Sequence, residues 1–207
     1  MADNIPDYQG ATALALDLLR MHLPAAFTYH NVAHTEFDVL PAAQRLAELS
    51  QLSQREALIL HVAAAYHDLG YIRSTENHEA IGIEIMQMHL PEYGFGDMEL
   101  AEIASVIEAT RMPQTPANSL GELLADADLD SLGRDDFLQT SYALWLEQEN
   151  LGRGCSWDDW LPRQIRFLET HRYFTAVARQ LRDAGKQRNL ALLRSMANGR
   201  PRIAAES

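Results

Sequence analysis

The sequence is poor in the features that mark secreted and membrane proteins. Its single cysteine, Cys155, has no second thiol to pair with, which excludes an internal disulfide framework. No stretch approaches the roughly 18 consecutive apolar residues of a membrane-spanning helix. The segment from Met1 to Pro6 lacks the basic residues and the apolar run of a secretory signal peptide. We therefore expect a cytoplasmic protein that does not enter a membrane.

Basic residues are also scarce. The chain has 17 Lys and Arg against 29 Asp and Glu, a net charge of −12 and a pI near 5.0. This balance does not favour the broad basic face with which proteins bind nucleic acid, so we expect no nucleic-acid surface. A small phosphorylated substrate remains compatible, because a bound metal and a few Arg or His side chains can make one pocket locally positive.

The chain does contain enough apolar residues for a helical domain. Of its 207 residues 47% are apolar and 22% are charged, which is an ordinary globular balance. Nearly every segment has helical periodicity and none alternates as a strand does, so we predict an all-α fold. The first helices are expected at about 14–23, 31–49 with a kink or break at Pro41, 53–70 with a capping box at Ser53 and Glu56, 77–90, and 97–110 with Asp97 as the N-cap.

The second half is also predicted to be helical. The prolines of residues 112–118 favour a loop, after which Asn118 or Ser119 opens a helix that reaches about Leu132. Further helices are expected at about 134–149, 157–184 and 187–197, followed by a frayed tail at 199–207. The loop at residues 152–154 separates a domain of residues 1–150 from a C-terminal helical extension, residues 151–207, which we expect to pack on the same domain.

The pair His67-Asp68 follows the most apolar predicted helix, which Gly70 is expected to cap. A buried carboxylate is costly unless it is paired or binds a metal. Imidazole and carboxylate together are good ligands for several divalent metals. The alternative interpretation is a helix end with a polar cap and a His near the helix dipole, because the dipeptide by itself is common.

Acidic residues alternate in Ala125-Asp126-Ala127-Asp128-Leu129-Asp130. On a helix Asp126 and Asp130 share a face, while Asp128 points elsewhere. An acidic stripe facing solvent would account for one or two of these residues. Another would then be available as a metal ligand.

Together these segments resemble the HD superfamily of metal-dependent phosphohydrolases, an all-helical family that holds its metal on the pattern H…HD…D. The first His matches His34 in Tyr-His-Asn-Val-Ala-His-Thr, the central pair matches His67-Asp68, and the last Asp matches Asp128, with Asp126 as the alternative. The resemblance spans about residues 28–135. It implies an HD-domain helical bundle with additional C-terminal helices and a divalent metal: Mn, Mg, Ni, Co, Fe or Zn.

The resemblance also assigns roles to further residues. Many family members have a His at the position of His78, followed four residues later by Gly, as Gly82 follows here. Two-metal members need another His beyond it, where this chain has only His89, which comes too early, and then Thr110-Arg111. A one-metal site is therefore expected, in which Asp68 binds the metal and orients the attacking water. His78 would contact the phosphate or protonate the leaving group.

Several other basic side chains have no assigned role in chemistry. Arg73 either joins the site or is structural, and His61 is interpreted as structural. His30 is interpreted as structural or as a neighbour of the metal ligands. The Arg- and aromatic-rich C-terminal helices would either close the pocket or form a homodimer interface.

The implied function is metal-dependent hydrolysis of a phosphate monoester or diester of a small molecule, such as a nucleotide or a related metabolite. Two alternatives stay open. One is a di-iron HD-type oxygenase, which needs more His ligands than the pattern supplies. The other is a non-catalytic HD module that senses a ligand, whose usual sign is loss of ligand residues that are present here.

Overall fold

The computed structural model describes residues 5–199, and it contains helices and connections but no strand within that range. The prediction of an all-α fold is confirmed. The α-helices in this part of the chain are α1 (Tyr8–His22), α2 (Leu40–Leu49), α3 (Gln54–Tyr66), α4 (His78–His89), α5 (Asp97–Glu108), α6 (Ser119–Asp128), α7 (Phe137–Asn150), α8 (Trp157–Thr170) and α9 (Ala176–Asn198). A π-helical segment, His34–Val39, leads into α2, and 3-10 turns lie at Leu69–Ile72, Leu90–Tyr93 and Asp130–Gly133.

Helix α3 forms the centre of the core. Its residues from Val62 to Tyr66 are fully buried, and α1, α2 and α5 pack around it. Burial on all sides follows from a helix that is apolar around its whole circumference. The capping box predicted for its start is present, with the Ser53 side chain accepting from the Glu56 N–H and the Glu56 carboxylate accepting from the Ser53 N–H. The buried helix therefore delivers the next two residues, His67 and Asp68, to the interior.

The break expected at Pro41 takes the form of a π-helical segment. The Leu40 N–H donates to the carbonyl of Thr35, five residues back, instead of to the residue four back. Proline has no N–H to donate and its ring crowds the carbonyl four residues earlier, so a wider turn before Pro41 relieves both problems. The π segment begins at His34, and such segments are frequent at functional sites.

Two predicted helix caps are wrong. His67, not Gly70, is the C-cap of α3, and Gly70 lies in the 3-10 turn that follows. A Cβ atom on Gly70 would lie 1.8 Å from the carbonyl oxygen of His78, so glycine is needed there for close backbone packing. Asp97 is the first residue of α5, and Gly96 is the N-cap, whose N–H donates to the Glu99 carboxylate at 2.8 Å.

The expected division of the C-terminal helices is also wrong. The chain breaks at residues 171–175, and α9 then runs without interruption through residues 184–187. A distant residue binds this break: the Asp126 carboxylate accepts from the backbone N–H groups of Phe174 and Thr175, each at 2.8 Å. Of the tail predicted at 199–207, only Gly199 lies within the described residues, where it caps α9.

The helices after residue 150 pack against the earlier ones. On α9 the side-chain amide of Asn189 donates to the carbonyls of Leu132 and Arg134, at 2.9 and 2.8 Å. Gly185 faces the carbonyl oxygen of Gly133, where a Cβ would lie at 1.9 Å. Among residues 5–199 no helix is both long and apolar enough to cross a membrane.

Candidate metal centre

Three chain segments bring four ligand-type side chains together. His34 begins the π segment, His67 and Asp68 follow α3, and Asp128 is the last residue of α6. His34, His67 and Asp68 are buried, with exposed fractions of 3%, 0% and 5%. Each segment ends or changes its helical geometry at this point, which frees the side chains to converge although they are distant in sequence.

The facing atoms of these side chains are close. Nε2 of His34 lies 3.3 Å from Oδ1 of Asp128, and Nε2 of His67 lies 3.5 Å from the same oxygen. Oδ2 of Asp68 lies 3.1 Å from Nε2 of His67 and 3.8 Å from Nε2 of His34. One ligand atom from each of His34, His67 and Asp68 falls within 4.8 Å of the others, a spacing that one metal ion can bridge.

Neighbouring groups orient both imidazoles. Nδ1 of His67 lies 2.8 Å from the carbonyl oxygen of Ala64, so in the neutral imidazole Nδ1 carries the proton and the lone pair is on Nε2, the nitrogen that faces the cluster. On the outer side of His34, Nδ1 lies 3.7 Å from Oδ2 of Asp38, and Arg134 in turn binds Asp38. Histidines that ligate metals commonly have such a partner on their second nitrogen.

Two atoms inside the cluster lack hydrogen bonds within the described part of the chain. They are Nε2 of His67 and Oδ2 of Asp68, both buried. Leaving buried polar atoms without partners is costly, and a divalent cation between them would satisfy both. Two imidazoles and two carboxylates also form a ligand set that several divalent metals accept. The residues present thus fit a metal ion.

The charges in the cluster depend on one another. Burial opposes the charged form of His34 most strongly, but the carboxylates of Asp128 and Asp38 outweigh it and raise the pKa of His34 to about 9. Burial likewise opposes the ionised form of Asp128, yet His34 and His67 lower its pKa to about 2. For Asp68 the charge of His67 overcomes burial and lowers the pKa further. The carboxylates are therefore ionised at neutral pH, and a binding cation would displace the protons of the histidines.

The three alternating acids have three different environments. Asp128 faces the two histidines, whereas Asp126 binds the backbone at the start of α9. Asp130 accepts from Arg182 at 2.7 and 2.8 Å and from Arg45 at 3.0 Å. The acidic stripe facing solvent, considered for one or two of them, is wrong for Asp126 and Asp130, because both are buried.

A cavity of about 220 Å³ opens beside the cluster. Asp68 and Asp128 line it, while His34 and His67 lie behind them. His78 also lines the cavity, with Nε2 3.6 Å from Oδ1 of Asp68 and its ring stacked on that of Tyr71 at 3.9 Å. Arg73 is exposed and is not part of the lining. His61 lies elsewhere, on α3 beside α2.

One pair of residues at the cavity was not predicted together. Glu147 on α7 is buried and binds His30, which lines the cavity. Oε2 of Glu147 accepts from the backbone N–H groups of Tyr29 and His30, at 2.9 and 2.8 Å. The sequence carries no local signal for this contact, since Glu147 lies outside the motif region.

No family model and no curated protein matches this sequence. Two crystal structures resemble its fold. One is named as a predicted HD superfamily hydrolase from an uncultured Thermotogales bacterium, with 19% identity, a TM-score of 0.61 and coverage of 96% of this chain and 95% of the other. The other is Bacillus subtilis YpgQ in complex with ADP, with 20% identity, a TM-score of 0.63 and coverage of 94% of this chain and 100% of the other. The HD-type fold inferred from the motif is confirmed over nearly the whole chain.

Proposed function

We propose that this chain is a metal-dependent phosphohydrolase that cleaves a phosphate ester of a small molecule, with His34, His67, Asp68 and Asp128 as the metal ligands. The observation that carries the proposal is the convergence of these four side chains beside a cavity, with buried atoms of His67 and Asp68 that lack hydrogen-bond partners among residues 5–199. The resemblance in fold to a structure named as an HD superfamily hydrolase supports it.

A divalent metal bound there would lower the pKa of a water molecule and neutralise charge on phosphoryl oxygens. The protein's own residues do the positioning. Asp68 presents one oxygen to the histidines and the other towards His78, so it can hold the metal and also orient a water molecule in the cavity. His78 lies where it can contact the phosphate or donate a proton to the leaving group.

A nucleotide or a related metabolite is the substrate class that we favour. The cavity is a local concavity of about 220 Å³ and not an extended groove, which suits a small substrate better than a polymer. YpgQ, which has the same fold, was crystallised with ADP. Whether the substrate is a monoester or a diester, and which metal binds, are left open by this proposal. A homodimer stays a prediction. We also propose that residues 151–207 extend the domain of residues 1–150, since Gln164 and Phe167 line the same cavity.

The test combines metal analysis with an activity screen. Untagged protein would be analysed for metal content by mass spectrometry. Hydrolysis would be measured on a nucleotide panel of monoesters and diesters, with added Mn, Mg, Co and Ni, as phosphate release and, for the diesters, as phosphate released after a phosphatase is added. We expect about one metal per chain and phosphate release from at least one nucleotide. Asp68→Ala should abolish the release and lower the metal content, while circular dichroism shows unchanged helix content.

The other outcomes separate the alternatives. Full activity of Asp68→Ala would refute the role of the metal centre. Two irons per chain without phosphate release would favour the di-iron oxygenase. A protein with neither metal nor activity under any condition would favour the ligand sensor. Asp97→Ala, on the exposed first turn of α5, is the control substitution and should retain both metal and activity.

A further inference from the structure

Helices α7 and α8 form one wall of the cavity. Apolar side chains of these helices line it, and the fully apolar lining residues on this wall are Phe137, Leu144 and Phe167. Three polar residues interrupt this surface: Thr140, Ser141 and Gln164. Of these, Ser141 and Gln164 are buried, with exposed fractions of 4% and 8%. Neither belongs to the motif region, and the proposed hydrolysis does not use them.

A chain of hydrogen bonds fixes the orientation of Gln164. The indole N–H of Trp160 donates to Oγ of Ser141 at 3.2 Å, and the Ser141 hydroxyl donates to Oε1 of Gln164 at 3.3 Å. The side-chain oxygen of Gln164 is thereby occupied, and no acceptor among residues 5–199 takes a hydrogen bond from its amide nitrogen. The cavity thus contains an amide donor, on a largely buried residue, that the described protein atoms do not satisfy.

We infer that Gln164 is a specificity-determining residue that binds the nucleobase of the substrate. Its amide group would donate to a ring nitrogen or a carbonyl oxygen on the edge of the base. Phe167 lies three residues later on α8, on the same side of that helix, and offers an aromatic surface for the face of the base. This inference rests on the proposed function in one respect: it takes the phosphate of the substrate to lie at the metal ligands.

The spacing along α7 suits a ligand with two ends. Ser141 and Glu147 are both buried residues of that helix, and their separation along the axis corresponds to a rise of about 9 Å. Glu147 holds His30 at the metal end of the cavity, whereas Ser141 holds Gln164. A phosphate at the metal ligands would therefore leave its organic group near Gln164 and Phe167.

The buried amide favours a base over a purely apolar group. A ligand without a hydrogen-bond acceptor would leave the Gln164 amide unsatisfied after water is displaced, which weakens its binding. A flat heteroaromatic ring with acceptors along its edge satisfies the amide and also fills the apolar wall. Nucleobases combine both properties, whereas a simple sugar phosphate has no such flat face.

The test uses nucleosides, which have no phosphate ester to cleave. Adenosine, guanosine, cytidine, uridine and, as the reference, ribose would be titrated into the metal-loaded full-length protein by calorimetry or ligand-observed NMR. At least one nucleoside should bind at least about tenfold more tightly than ribose. Gln164→Ala should reduce this difference to the part that stacking on Phe167 supplies, and so should the nearly isosteric Gln164→Glu, which keeps the Ser141 contact but loses the amide donor.

Gln139→Ala is the matched control, because Gln139 is an exposed glutamine on α7 outside the cavity. It should bind nucleosides as the wild type does. Thermal unfolding and metal content show that each variant is folded and loaded. Equal binding of nucleosides and ribose, or unchanged nucleoside preference in both folded Gln164 variants, would overturn the inference. Nucleoside binding that depends on Gln164 without hydrolysis of any nucleotide, monoester or diester, would instead refute the proposed hydrolysis and leave this inference standing.

Discussion

Nδ1 of His30 lies 2.5 Å from Oε1 of Glu147, although 117 positions separate the two residues in the sequence. The carboxylate reaches the imidazole from α7, beyond the region that carries the HD-like motif. Because Oε2 of Glu147 also accepts from two backbone N–H groups, the contact fixes the loop before the π segment as well as the ring. A helix without motif residues thus helps to shape the cavity.

Removing the Glu147 carboxylate should destabilise the protein. Glu147→Ala leaves the partly buried N–H groups of Tyr29 and His30 and the His30 ring without their acceptor, so we expect a loss of about 2–4 kcal/mol in the free energy of unfolding. Glu147→Gln keeps one acceptor oxygen and should lose less. Urea denaturation measures both, with the exposed Glu149→Gln as the control. A wild-type midpoint for Glu147→Ala would show that the buried contact is not needed.

Metal removal should lower the thermal stability of the wild-type protein. A ligand that binds only the folded state stabilises it, by about 2.7 kcal/mol at a free concentration of 100 times Kd. For a chain of this size each kcal/mol corresponds to roughly 2–4 °C in Tm. Chelation with EDTA should therefore lower the Tm of the wild type by several degrees and leave that of Asp68→Ala unchanged. An equal decrease in both proteins would place the metal elsewhere.

The neighbouring acids Asp126 and Asp128 should respond differently to the same substitution. Asp128→Asn should lower the metal content, because this carboxylate faces both histidines. Asp126→Asn should retain the metal but lower stability by about 1–3 kcal/mol, because it weakens the charged contacts to Phe174 and Thr175. Metal analysis and urea denaturation of the two variants provide the comparison. The opposite pattern would make Asp126 the ligand.

His171 should make stability depend on pH below neutrality. Burial, together with the charges of Lys186 and Arg172, lowers its pKa from the usual 6.5 to about 4. Between these pH values His171 binds a proton in the unfolded chain but not in the folded chain. Its titration therefore lowers the free energy of unfolding progressively as the pH falls from about 6.5 to about 4. Above that window the group has no effect.

His171→Gln should therefore lose less stability than the wild type between pH 7 and pH 4.5. Urea midpoints at the two pH values give the change in stability for each protein. The change in the variant is compared with that in the wild type, because other groups titrate in both proteins. The exposed His22→Gln serves as the control and should follow the wild type. Parallel pH profiles for His171→Gln and the wild type would exclude a contribution from His171.

Much of the fold was predictable because its signals are local. Helical periodicity indicated the class, the capping box marked the start of α3, and the apolar run of α3 indicated its burial. The order of His34, His67-Asp68 and Asp128 along the chain indicated a resemblance to the HD fold. Boundaries set by distant contacts were missed, as at Gly70, where the backbone of His78 approaches, and at residues 171–175.

The sequence by itself determined that the chain forms helices, which helix is buried, and which residue types can bind a metal. These properties depend on residues within a few turns of one another. The tertiary structure alone decided that Asp128 faces the histidines while Asp126 and Asp130 bind other partners, and that Glu147 binds His30. The physical reason is that burial and charge pairing depend on which surfaces meet in space, and alternation along one segment does not specify those surfaces.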